Sequence, residues 1–297
     1  MKTSPIALFV YNRPNLTRHV LLALRKNKLF RSSKLFIFSD GPKDDDSEKS
    51  VKKVRNVLSN YNNLKNINIT LNKDNKGLST SIITGVSDIL SDFKSVIVLE
   101  DDLITSTYFL KYMNTGLSLY ENETDVASIH SYFYPVNSIN QLPNYFFLKG
   151  ADCWGWATWR DRWDLFENNP NELLNKINSM NLSNEFSLEK RAGFYNMLKD
   201  TSKGKIDSWA IRWHASMYLQ NKLTLYPKVS FIHNIGNDGS GTHKAKTDSF
   251  KTKINLNFDG IKNVQLTENL IAREELANFM LKIREPLYKR LLKKYIF

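Results

Sequence analysis

Val96-Ile97-Val98-Leu99-Glu100-Asp101-Asp102 is an apolar strand that runs straight into three consecutive carboxylates. Strand ends are where open α/β sheets place ligands, because helices cover both faces and leave the carboxyl edge accessible. Three adjacent acids repel one another unless a cation or sugar hydroxyls partner them. Hard cations such as Mg²⁺ and Mn²⁺ are held by one or two carboxylates together with substrate phosphates. The same triplet also reads as an acidic cap on the helix-like stretch from Ser106 to Tyr112, favoured by the helix dipole.

Working outward, strand and helix patterns alternate. Ile6 to Tyr11, Leu35 to Phe38, Ile67 to Leu71 and Val96 to Leu99 read as strands. Leu16 to Lys26, Ser47 to Asn60 and Ser79 to Leu90 carry helical apolar spacing between them. This order predicts a parallel, doubly wound sheet with right-handed crossovers. Further strands are expected at Val126 to Tyr134, Phe146 to Leu148 and Thr224 to Val229. Helical patches are expected at Pro170 to Ile177, Leu188 to Asp200 and Trp209 to Asn221. With no repeat and no low-complexity linker, the reading is one continuous domain. Residues 1–125 form its regular strand–helix half, 126–260 a variable half, and 261–297 a helical basic tail.

Composition is that of a globular chain: 297 residues, 41% hydrophobic and 24% charged. No window reaches the ~18 apolar residues of a membrane span, and no secretory core stands at the N-terminus. The single cysteine, Cys153, excludes an intrachain disulfide and a cysteine-rich zinc site, and fits a reducing compartment, most simply the cytoplasm. Abundant Asn and Lys point to an AT-rich bacterial genome. A net charge of +12 calls for an anionic partner. Pro286 to Phe297 reads as a short basic amphipathic helix suited to an anionic membrane surface, or as a docked helix with solvated lysines. Nucleic-acid binding is not expected, because no motif for it appears. Oligomeric state leaves no trace in the sequence.

Each strand end in the first half carries a usable group. Tyr11-Asn12-Arg13-Pro14 offers a guanidinium fork for a diphosphate, or a turn in which Pro14 sets the backbone and Asn15 caps the helix. Asp40-Gly41 offers a carboxylate for a base or ribose, or closes a turn. Asn75-Lys76-Gly77 brings a glycine that permits close backbone approach, or simply opens a helix.

Ala7 to Pro14, Ser39-Asp40, Asn75-Lys76-Gly77 and Glu100-Asp101-Asp102 together resemble GT-A glycosyltransferases. More narrowly, they resemble the N-acetylglucosaminyltransferase I-like branch and its bacterial family 2-like relatives, whose metal motif is Glu-Asp-Asp. The likeness continues through Cys153-Trp154-Gly155-Trp156, Ile206-Asp207-Ser208-Trp209 and Asn234 to Gly241. It implies a sugar-nucleotide donor, most simply a UDP-sugar, with Asn12 and Arg13 near the diphosphate and Asp40 near the base. Asp101 would lie on the ribose side, Glu100 at donor-sugar hydroxyls, and Asp102 on Mn²⁺ or Mg²⁺. Lys76 and the segment holding Gly239, Ser240 and His243 would add anion stabilisation, the latter as a lid. His243 would face the diphosphate or the metal.

Asp207 matches the family's base, although the family has an acid pair where this chain continues with Ser208. Asp207 also stands where a helix cap is wanted. A lone base implies inversion at the anomeric carbon. Trp154, Trp156, Trp159 and Trp163 read as core, with Trp154 or Trp156 lining a sugar pocket. His130 and His214 read as structural. The expected activity is transfer to a saccharide or lipid-linked glycan acceptor, with peripheral attachment to the inner membrane face as a consequence of the tail. Two alternatives stand beside it. One is a sugar-1-phosphate nucleotidyltransferase, whose glycine-rich first loop is missing here; the other is a non-catalytic nucleotide-sugar or glycan-binding protein.

Overall fold

A computed structural model describes residues 3–61, 64–236 and 247–284. The first half builds as its periodicities dictate. Strands Ile6–Val10 (β1), Leu35–Ser39 (β2), Ile67–Leu71 (β3) and Ser95–Glu100 (β4) alternate with helices Pro14–Arg25 (α1), Asp45–Ser59 (α2) and Leu78–Asp92 (α3). β1 pairs in parallel with both β2 and β4, and β2 with β3. Alternate residues of β1 face opposite layers, and both layers are apolar. Ile6, Leu8 and Val10 pack with Val20, Leu21 and Leu24 of α1 and Val54 of α2. Ala7 and Phe9 pack with Ile82 and Val86 of α3. Burial on both faces is why β1 and β4 read as unbroken hydrophobic runs, whereas edge strand β3 is largely exposed beyond Ile67.

The second half is less regular. Leu103–Thr105 (β5) and Phe109–Leu119 (α4) lead to Val126–His130 (β6), Tyr145–Lys149 (β7) and Trp156–Trp159 (β8). Helices Arg160–Trp163 (α5), Pro170–Ser179 (α6), Ser183–Phe186 (α7), Phe194–Ser202 (α8) and Trp209–Leu219 (α9) follow, then Leu223–Pro227 (β9), Ile232–Asn234 (β10) and Leu270–Ile283 (α10). The sheet order is β3-β2-β1-β4-β8-β6-β9-β7. β8 runs antiparallel to both β4 and β6, β6 is parallel to β9, and β7 is antiparallel to β9. The fold is therefore mixed α/β around an eight-stranded, mostly parallel sheet with helices on both faces. β5 and β10 form a separate antiparallel ribbon.

Several local expectations change. α1 starts at Pro14 with Arg13 in the cap position and no capping side chain, so Asn15 is not the cap. β6 stops at His130. The helix expected from Leu188 is confined to α8, because Leu188, Glu189 and Lys190 adopt left-handed φ values of 50°, 53° and 64° that no helix continues through. β8 lies inside what reads as a tryptophan run. The basic helix expected from Pro286 to Phe297 falls outside the described residues, as do Gly239, Ser240 and His243.

Direction decides what each strand brings to the carboxyl edge of β4. The parallel strands β1, β2 and β3 deliver their ends there, whereas antiparallel β8 delivers its start. Register pairs Phe9 with Glu100 and Val98 with Trp156, so the residues entering β8, Asp152 to Trp154, run beside those leaving β4.

Candidate active site

Glu100 ends β4, and the triplet turns across the end of β1, where Arg13 meets it. The Arg13 guanidinium donates to Asp102 Oδ2 at 3.1 Å and to Asp101 Oδ1 in a closer pair. Asp101 is 3% exposed and also accepts the Tyr11 backbone N–H, yet its Oδ2 is buried with no hydrogen-bond partner. Burial, reinforced by Asp102 and Asp101, pushes the Glu100 carboxyl up to about 8. Burial likewise pushes Asp101 up to about 6, although Arg13 pulls the other way. Arg13 itself is held more firmly protonated, the neighbouring acids outweighing its own burial. This is a site under strain from like charge, partly relieved by one guanidinium.

The second and third strand ends close on each other. Asp40 is buried, and its carboxylate accepts the backbone N–H groups of Gly41 at 3.0 Å, Lys76 at 2.9 Å and Gly77 at 3.0 Å. The expectation that Asp40 faces a base thus meets a different arrangement: its oxygens hold the loop that precedes α3. Gly41 is there for space, since a Cβ would stand 2.5 Å from the Lys73 carbonyl oxygen. Gly77 is there for conformation, with φ +76° and nothing within 4 Å of a Cβ. Lys76 is exposed, and Asn12 is half-buried on the β1 loop.

The ribbon carries the chain back over the acids. The Ile235 N–H donates to the Asp102 carbonyl at 2.9 Å, and a Cβ on Gly236 would come within 2.2 Å of Asp102 Oδ2. Gly236 is thus a required contact of the acidic edge. Its only sequence signal was membership of the Asn234 to Gly241 segment.

Asp207 precedes α9, but the helix cap is Ser208, whose hydroxyl accepts from the Ile211 N–H at 3.3 Å. Asp207 instead accepts from Arg212 at 2.7 Å. Arg212 also donates to Asn168 Oδ1 at 2.8 Å and to the Ser79 hydroxyl in the first turn of α3. One guanidinium therefore ties Asp207 to the helix that Asp40 positions. Asp207 remains 68% exposed, open to an incoming molecule.

Trp156 is corrected outright. It is fully buried and lies 5.5 to 5.7 Å, ring to ring, from Trp163, Trp209 and Trp213. It belongs to the core beneath the sheet and lines no pocket in this state. Trp154, half-buried, packs on Tyr132 and Phe250. Next to it stands Asp152, which the sequence did not single out. Asp152 accepts from the Tyr134 hydroxyl at 2.9 Å and the Cys153 N–H at 2.7 Å. His130 is structural: Nδ1 donates to the Tyr132 carbonyl at 2.8 Å while Nε2 accepts the Trp154 N–H at 3.1 Å, a neutral tautomer that burial favours by lowering its pKa. His214, also pushed down by burial, donates from Nδ1 to the Ala151 carbonyl at 2.7 Å.

A divalent cation fits this donor set. The buried, unpartnered Asp101 oxygen and the upward-shifted Glu100 mark a place short of positive charge. Among the described residues no three acid, histidine or cysteine side chains converge as ligands would.

No protein-family model matches the sequence, and no curated protein matches it. Among solved structures, the chain is similar to the mannosyltransferase PcManGT from Pyrobaculum calidifontis in complex with GDP-Man and Mn²⁺. That match has 11% identity over 54% of this chain and 45% of that one, with a TM-score of 0.39. It is also similar to an active-site mutant of LgtC, at 9% identity over 56% and 62% of the two chains, TM-score 0.37. The third is a UDP-glucose pyrophosphorylase complexed with UDP-glucose, at 12% identity over 95% and 100%, TM-score 0.36. The chain thus spans under half the length of the mannosyltransferase and under two thirds of LgtC.

Proposed function

We propose that this chain is an inverting, metal-dependent glycosyltransferase of the GT-A kind, moving a sugar from a nucleotide donor, most simply a UDP-sugar, to a saccharide acceptor. The observation that carries the reading is the acidic triplet at the carboxyl edge of β4, bridged by Arg13 and roofed by Gly236. Asp102 would hold Mn²⁺ or Mg²⁺, with Asp101 on the ribose side. Such an ion supplies Lewis-acid stabilisation of the leaving diphosphate.

The chain's own residues do the rest. Arg13 is the fixed cation beside the triplet: its fork holds Asp101 and Asp102 in place and adds positive charge where the diphosphate would lie. Asp40 holds the Lys76–Gly77 backbone in place, so that the entrance to α3 is formed before any donor arrives. Asp207 is the general base: its carboxylate takes the proton from the acceptor hydroxyl as that oxygen attacks the anomeric carbon. Arg212 fixes the direction of that carboxylate. Direct attack by the deprotonated acceptor, with no covalent intermediate, would invert the centre in one displacement. A lipid-carried saccharide suits the net charge of +12.

Calorimetry with UDP-, GDP-, dTDP- and CMP-sugars, with and without Mn²⁺, tests the reading. Metal-dependent binding of one nucleotide class, lost in Asp102→Ala, is expected. Absence of binding by every donor in both conditions would overturn it.

A further inference from the structure

α1 and α2 lie side by side on one face of the parallel half, and a groove of about 450 Å³ runs between them. Arg18 and Arg25 enter it from α1 and Lys53 from α2. No acidic residue lines it among the described residues, and none of the three cations has an ion-pair partner there. The contrast lies one residue away, where Lys52 of α2 pairs with Glu48 at 2.8 Å. Like charges gathered without a counter-charge repel one another, and an anion relieves that repulsion.

Three further features sort the anion by class. Asn15 and Asn56 add amide groups to the same walls. Pro14 and Asn15 line one end, at the first turn of α1. Leu22 lines the groove while 45% exposed, and Arg25 lies over the Tyr61 ring at 5.7 Å from its centroid. Cations alternating with exposed apolar surface suit an interface more than a freely dissolved anion.

We propose that this groove receives the phosphate headgroup of an anionic lipid and docks the α1–α2 face on a membrane surface. The site is separate from the acidic edge and stands whether or not the chain transfers sugars. Because α1 follows directly from Arg13, a membrane held here lies beside the entrance that carries the triplet.

The test is co-sedimentation of the full chain with vesicles of phosphatidylglycerol and phosphatidylcholine against phosphatidylcholine alone. The double variant Arg18→Gln/Lys53→Gln is run beside a matched control, Lys199→Gln/Lys203→Gln, at the end of α8, outside the groove. Circular dichroism checks that both fold, and donor calorimetry runs in parallel as an independent readout of the sugar-transfer reading. At about fivefold per basic residue, the groove variant is expected to bind anionic vesicles about 25-fold more weakly, with the control close to wild type. Equal binding by groove variant and wild type, equal loss in the control, or no binding of the wild type to anionic vesicles would each overturn the proposal. Calorimetric uptake of inorganic phosphate without vesicle binding would assign the groove to a soluble anion and overturn the lipid.

Discussion

Strands β3, β2, β1 and β4 take their places through one helix after another, and their ends meet at a single charged edge. Strands β8, β6, β9 and β7 are drawn from distant parts of the chain, and aromatic rings fill the space beneath them. The charged edge holds acids that burial pushes up, Glu100 and Asp101. The aromatic half holds histidines that burial pushes down, His130 and His214. One sheet thus keeps its strained carboxylates where its strands open to solvent and its neutral polar groups where they do not. The difference separates an edge of unbalanced charge from a half whose buried polar groups are neutral.

The strongest way to break this separation is to remove a residue from each side. Asp102→Ala is expected to lower turnover with the correct donor by about 10³-fold or more, the scale of a lost charge-stabilising group. Its thermal midpoint should stay within a few degrees of wild type. Trp156→Ala should do the reverse, costing about 3–5 kcal/mol in denaturant unfolding. Donor affinity in the cold should be retained. A folded Trp156→Ala protein that no longer binds donor would end the distinction between the halves.

Arg13→Ala sharpens it. The substitution leaves Asp101 buried beside two other acids, at a cost of about 2 kcal/mol, less than for a fully buried pair because Arg13 keeps 20% of its surface. Adding Asp101→Asn should restore most of the loss in the same unfolding assay.

The smallest effect is the most discriminating. Glu100 titrates near 4.5 when unfolded and about 8 when folded. Its contribution is therefore most favourable below about 4.5 and is lost as pH rises toward 8. The histidines act with the opposite sign: stability is complete above their unfolded value of 6.5 and falls as the pH drops below it. Thermal melts in chelator from pH 5 to 8 should show Glu100→Gln losing less stability at high pH than wild type. The bound is about 1.4 kcal/mol per pH unit for one group. His214→Gln should flatten the acid side instead.

The same division explains what could be read in advance. β1 to β4 and their helices follow from local periodicity, and Ile67–Leu71 matches the expected strand residue for residue. β8 did not, because Trp156 to Trp159 are all buried and show no alternation between a core face and an exposed one. The acidic triplet was legible as a charged strand end, since β4 runs apolar up to Glu100. The partner that Asp40 chose was not: which N–H groups close on a carboxylate is settled by how two loops pack. Gly236 against Asp102 and Arg212 between Asp207 and Ser79 are long-range meetings of the same kind. Ser208 took the cap that Asp207 was also suited to, which leaves the carboxylate for other work.

Cys153 sits where the two halves join, and it is the chain's single thiol. Burial and the charges of Asp152, Glu100 and Asp102 push its ionisation well up. The thiol is therefore a built-in voltmeter for the cleft. A cation entering among the acids should weaken the field that opposes thiolate formation and so speed alkylation of the thiol. Neutralising one acid by substitution should move the same needle, so the field of the cleft can be followed with a dye and a clock.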